Sequence, residues 1–192
     1  MKSNEVGVFI LIGLATLLVS CDGKLSRKGT DEKKLDSLFL GISMGMDKKA
    51  FYDYCWKMNN EKIFTHGPTN QSVEYMLKSE FDKPVAMQFY PNFYEEKIYE
   101  IPVLFNYDAW APWNRELSAD TLILKLLPVM KKWYGDDFQV LQHPAQGTVY
   151  YQMKGRRRIN LFVRDDQFVQ VVFTNLKVEK EIKELKEKQL SN

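Results

Sequence analysis

The residues best suited to touch something outside the chain are aromatic and basic. The stretch Asn106-Tyr107-Asp108-Ala109-Trp110-Ala111-Pro112-Trp113-Asn114-Arg115 gathers Tyr107, Trp110, Trp113 and Arg115. Trp, Tyr and Arg dominate interface energetics, because each brings large area or a rigid donor fork. Exposed indoles beside Asp, Asn and Arg suit a protein partner or a sugar face. Buried, they would pack at a junction with each N–H satisfied locally. A second aromatic run, Phe89-Tyr90-Pro91-Asn92-Phe93-Tyr94, offers Tyr90, Phe93 and Tyr94 as a rim beside the first. Lys154, Arg156, Arg157 and Arg158 flank Gly155 and read as a basic hairpin tip. Such a tip is either a solvated turn or a grip for lipid phosphates or an acidic partner.

Catalytic chemistry finds little to work with. Glu95 and Glu96 are adjacent, and adjacent strand residues point to opposite faces, so they do not converge as paired carboxylates must. Met44, Met46, Cys55, Met58 and His66 form a soft set of the kind that holds Cu(I). Cys55 and Met58, however, fall on one helical stripe and read as core. A nucleophilic cysteine needs an exposed, electropositive setting, which a stripe position denies it. His66 precedes Gly67-Pro68 and His143 precedes Pro144, so both read as turn residues. The expectation is no catalytic set, no metal and no cofactor.

The elements that must position these residues are legible from periodicity. Asp47 can cap a helix, and Phe51, Tyr54, Cys55 and Met58 then recur at i, i+3, i+4 and i+7. Strands are expected at Val73–Leu77, Val85–Tyr90 and Lys97–Tyr107, with Pro102 placing the third at an edge or a bulge. The pattern then restarts. Ser118 can cap a helix with Leu122, Leu126, Met130 and Trp133 on its buried stripe, Pro128 kinking it and Gly135 ending it. The alternative is a strand at Leu122–Leu126 followed by a short helix. Strands follow at Phe138–Gln142, Thr148–Met153, Arg158–Arg164 and Gln167–Thr174, with Asp165-Asp166 as a tight turn. A charged helix, Val178–Gln189, closes the chain, with Glu179–Lys183 and Glu184–Lys188 pairs each worth ~0.3 kcal/mol. The fold class is α+β: two tandem helix-plus-strands units, 38–108 and 116–176, joined by the aromatic linker 109–115. Their antiparallel sheet carries the helices on one face.

The 192 residues are 45% apolar, 27% charged and 14% aromatic, an ordinary globular composition. With 27 Lys and Arg against 25 Asp and Glu the net charge is +2, which gives no nucleic-acid signal. Lys2 precedes an uncharged run, Val6 to Val19. A helix of that length spans ~21 Å, short of a ~30 Å hydrocarbon core, and matches a signal-peptide apolar region. Leu18-Val19-Ser20-Cys21 resembles the lipobox of bacterial lipoproteins. That resemblance implies a signal peptide at 1–20, acylation of Cys21 (diacylglyceryl thioether, palmitate) and a lipid anchor strong enough to hold at the membrane. Without it the segment is an ordinary cleaved signal or a short uncleaved anchor. Residues 21–37 are polar and read as a flexible tether, 38–176 as the domain and 177–192 as a charged helix or tail.

Gly45-Met46-Asp47-Lys48-Lys49-Ala50-Phe51 resembles the Gly-Met-(Ser/Thr/Asp)-x-x-x-aromatic helix start of two groups. These are the outer-membrane assembly lipoproteins of the SmpA/OmlA (BamE) type and the β-lactamase-inhibitor proteins, whose helix-plus-strand units bind other proteins. The wording of Leu38 to Trp113 also resembles small lipoproteins of the Bacteroides type. The resemblance implies a non-catalytic, membrane-anchored adaptor or assembly module in the bacterial cell envelope, at the outer membrane. The partner is an envelope protein, with an inhibitor-like or ligand-capturing role or a glycan ligand as alternatives, and an enzyme acting on envelope glycans as the less favoured one.

Overall fold

A computed structural model describes residues 35–69 and 72–191; residues 1–20, Cys21 and the tether through residue 34 lie outside the described residues. The fold is α+β. Strands β1 (Ser37–Phe39) and β2 (Ile42–Ser43) form a small hairpin, followed by helix α1 (Lys48–Asn60). Next come β3 (Thr65–His66), β4 (Val73–Leu77), β5 (Val85–Phe89), β6 (Asn92–Tyr94) and the long β7 (Lys97–Tyr107). A 3₁₀ turn (Arg115–Leu117) leads into α2 (Ala119–Tyr134). Then β8 (Gln139–His143), β9 (Gly147–Lys154), β10 (Arg157–Val163), β11 (Val169–Asn175) and α3 (Leu176–Leu190) complete the chain.

One antiparallel sheet runs β3-β4-β5-β7-β11-β10-β9-β8, with β6 beside β7. The seam is β7 against β11, registered from Val169 opposite Phe105 to Thr174 opposite Glu100. Alternation puts Ile101, Val103, Phe105 and Tyr107 on one face with Val169, Val171, Phe173, Ile159 and Leu161, all buried. Leu122, Ile123, Leu126 and Met130 of α2 cover this face, joined by Leu38 and Ile42 of the hairpin and Phe51 and Met58 of α1. Phe39 bridges the halves, its ring 5.2 Å from Phe89 and 5.4 Å from Phe173. Each side chain buried here contributes roughly 1.5–3 kcal/mol.

Several local expectations change. The hairpin begins before Leu38: Ser37 pairs with Ser43, and Leu35 and Asp36 are held by Arg157 and Arg156, so the tether reading stops short of 37. Gly41 is required in that hairpin, because an added Cβ would lie 2.5 Å from the Tyr54 hydroxyl, which donates to Leu40 O. Pro102 lies in a central strand, not an edge. Asp108 N donates to Pro84 O, so even-numbered positions of β7 aim at β5. The donor that Pro102 lacks therefore falls between the β5 ladder, ending at Val103, and the β6 ladder, which reaches Glu100. Asp47 and Ser118 occupy N-cap positions without a side-chain cap bond. Residues Leu122–Leu126 are helical, with Pro128 inside α2. Trp133 is partly exposed, because Tyr134 takes the place against Phe173. His66 and His143 end strands.

Glu95 and Glu96 are not strand residues. They form the two-residue loop between Tyr94 and Lys97, with φ of +47° and +59°. Left-handed backbone costs a residue with a Cβ ~1 kcal/mol, and this turn shape favours Asn-Gly. The double change Glu95→Asn, Glu96→Gly is expected to raise stability by about 1–2 kcal/mol in urea denaturation. The exposed Lys48–Glu96 pair it removes is worth little. An unchanged or lowered midpoint would show that the glutamates are held by more than the turn.

Candidate functional site

The linker aromatics do not form one surface. Tyr107 is only 1% exposed; its ring lies under Lys125, 6.0 Å from Nζ, so it is core and not a contact residue. Trp110 is half-buried against the core, and its backbone N–H donates to Tyr107 O. Trp113 is 85% exposed and Arg115 is exposed beside it. The expected continuity with Tyr90, Phe93 and Tyr94 also fails. Phe93 and Tyr94 lie at the start of β7, opposite Ile98 and Lys97, and the linker follows its end; the ten steps of the strand at ~3.4 Å put ~34 Å between them. Tyr90, just past the Phe89–Val103 pair, stands midway along β7, about 17 Å short of its end at ~3.4 Å per residue.

The basic tip is not free. Lys154 Nζ lies 2.8 Å from Asp137 Oδ1 and donates to Tyr134 O. Arg156 pairs with Asp36. Arg157 is buried, stacked 5.1 Å from the Tyr134 ring centre, and donates to Leu35 O. Arg158 makes a two-pronged bond to Glu179 at 2.8 and 3.1 Å. The bonds from Lys154 and Arg158 hold the Asp137 and Glu179 carboxyls below their ordinary range. The four cations of the expected tip, read as a solvated turn or an anion grip, are thus occupied in holding the chain's entry and the helix ends.

What the fold builds instead is a groove of about 700 Å³ between α1 and the β3–β4 edge. Tyr52 and Trp56 stand on its helix side, one turn apart; Trp56 is 72% exposed. Tyr90 forms part of its wall, and its hydroxyl shares a 2.5 Å hydrogen bond with that of Tyr52. That bond, with burial, pushes the Tyr90 hydroxyl up to about 12. The floor is Phe64, whose ring meets Tyr54, Tyr75 and Phe89 edge-on. Asn59, Thr65, His66 and Ser72 supply polar atoms at the margin.

Trp56 escaped the sequence reading, which followed the buried stripe. Its signal was there: Tyr52 and Trp56 are aromatics at i and i+4, off the buried stripe of Phe51, Tyr54, Cys55 and Met58. Tyr90 is the one residue of the expected aromatic rim that lines this groove.

Cys55 also lines the groove, and burial pushes its thiol from 9.0 up to about 12. Native Cys55 is therefore held as the thiol. In a Cys21→Ala chain, alkylation at pH 8.5 is expected to run roughly two to three orders of magnitude slower folded than in urea. Equal rates would place the thiol in solvent. A raised folded value also means that its stabilising contribution, full below pH 9, is lost as pH climbs toward 12.

No helix among the described residues is long and apolar enough to cross a membrane. No protein-family model, curated protein or solved structure matches this chain, so the groove and its neighbours carry the functional reading by themselves.

Proposed function

We propose that this chain is a lipid-anchored protein of the bacterial cell envelope whose domain captures another macromolecule without transforming it. The observation that carries this reading is the exposed Trp56–Tyr52 ridge over the groove beside α1. A 72% exposed indole gains nothing from the fold. In an interface it is the side chain type that most often anchors binding. The neighbouring thiol is pushed away from its nucleophilic form, which favours capture over covalent chemistry at this place. The strand order β3-β4-β5-β7 followed by β11-β10-β9-β8 supports reading the halves as related units. With it comes the adaptor or inhibitor-like role that the helix-start motif suggests.

The test is capture from detergent-solubilised envelopes by the full-length protein, with Trp56→Ala and Trp113→Ala beside it. A stoichiometric partner is expected with the parent chain and with Trp113→Ala. At least a tenfold loss is expected in Trp56→Ala, with helix content by circular dichroism unchanged. Equal capture by Trp56→Ala would sink the groove as the contact; loss in Trp113→Ala alone would move it to the linker. Metabolic labelling with a palmitate analogue is expected to mark the parent chain and spare Cys21→Ala.

A further inference from the structure

We propose that the groove beside α1 is a saccharide-binding site for a neutral, hydroxyl-rich chain, with Trp56 and Tyr52 as successive stacking platforms. The inference rests on the reading of this groove as the capture site. Tyr52 and Trp56 are four residues apart on α1, so their platforms are ~6 Å apart along the helix, about one sugar ring. The apolar C–H face of a pyranose needs a flat ring to lie on, and these two rings are open to solvent.

The platform is fixed before any ligand arrives. The Tyr52 hydroxyl is tied to Tyr90 at 2.5 Å, and its ring rests between Phe51 and Phe93, with centroids 5.8 and 6.4 Å away. Less freedom is then lost on binding. The margin offers Thr65, His66 and Asn59. Hydroxyl, imidazole and amide each combine donor and acceptor capacity, as a sugar hydroxyl requires. The side chains of Thr65 and His66 have no hydrogen-bond partner among the described residues, and Asn59 uses only its amide N–H, on Phe64 O.

Charge argues for a neutral ligand. Asp53, the carboxylate at the groove, is held 2.5 Å from Lys49 Nζ, so no unpaired charge faces inward. An extended peptide would need a run of open strand backbone; the edge here is β3, two residues long. An acyl chain would need a closed, dry cavity, whereas this groove is open and polar at its rim.

The experiment is calorimetric titration of the full-length protein, in a detergent without sugar headgroups, with cellohexaose, chitohexaose and maltohexaose. One-to-one binding of at least one is expected. Affinity should fall tenfold or more in Trp56→Ala, much less in Trp56→Phe, and stay unchanged in Trp113→Ala. No binding of any of the three, or binding that survives Trp56→Ala, overturns the proposal. If none binds while capture of an envelope protein still depends on Trp56, the saccharide falls and the capture reading stands. If neither capture nor sugar binding depends on Trp56, both fall.

Discussion

Replacing Phe64 by alanine is expected to lower the stability of the domain by about 3–5 kcal/mol, the range for removing a fully buried aromatic. Phe64 is the hub between α1 and the sheet. Its ring meets Tyr54 of α1 at 6.2 Å, Tyr75 of β4 at 6.2 Å and Phe89 of β5 at 5.7 Å, all edge-on. Such pairs add ~0.5–1.5 kcal/mol each beyond the area they bury. The void would not collapse readily, because the backbone is pinned on both sides. Phe64 N donates to Met58 O, and Asn59 Nδ2 donates to Phe64 O. Leucine should recover about half the loss. The same change removes the floor of the groove, so Phe64→Leu should weaken Trp56-dependent binding more than it weakens the fold. A loss of unfolding free energy below ~1 kcal/mol in guanidinium denaturation of Phe64→Ala would show that α1 is held chiefly elsewhere.

Arg157→Ala is expected to cost about 2–4 kcal/mol, and here charge and packing can be separated. The guanidinium is 5% exposed, lies over Tyr134, and donates to Leu35 O. A desolvated cation–π contact is worth ~2 kcal/mol, and a hydrogen bond from a charged donor ~1.5–3 kcal/mol. Against these stands the cost of burial, which lowers the pKa of Arg157 and leaves its Nε without a partner. Arg157→Met keeps the stem and removes both charge and cost, so it should recover more than half the loss. If methionine is as damaging as alanine, the cation itself holds the junction. The same burial raises the Tyr134 hydroxyl far above its ordinary value, so the stability tied to it is full below pH 10 and lost only in strong alkali.

The fold was legible where periodicity is local. The stripe Leu122, Leu126, Met130 identified α2, and alternation in Ile101–Tyr107 and Ile159–Val163 marked strands that the sheet contains. The site was less legible because its decisive contacts span the chain. Nothing near Arg156 or Arg158 announces Asp36 or Glu179 as partners, 120 and 21 positions away, so the tip looked free when it is paired. Tyr107 and Trp113 share a segment and a chemistry, yet one ends a central strand and the other stands exposed in a turn. Only the register of β7 against β5 and β11 separates them. Trp56 is the opposite case: its signal is local, an indole on a helix face that is otherwise polar, and periodicity that marks buried positions does not report it.

The entry of the described chain and its exit from the sheet meet at one point. Arg157 holds Leu35, where the chain comes in, and Arg156 O accepts from Leu176 N, where it leaves β11. Mechanically, this makes the β9–β10 turn a buckle. A pull applied between Leu35 and α3 would load two neighbouring residues and leave the eight-strand ladder slack. Under tension the buckle should yield first, freeing the termini while the sheet and its groove keep their shape.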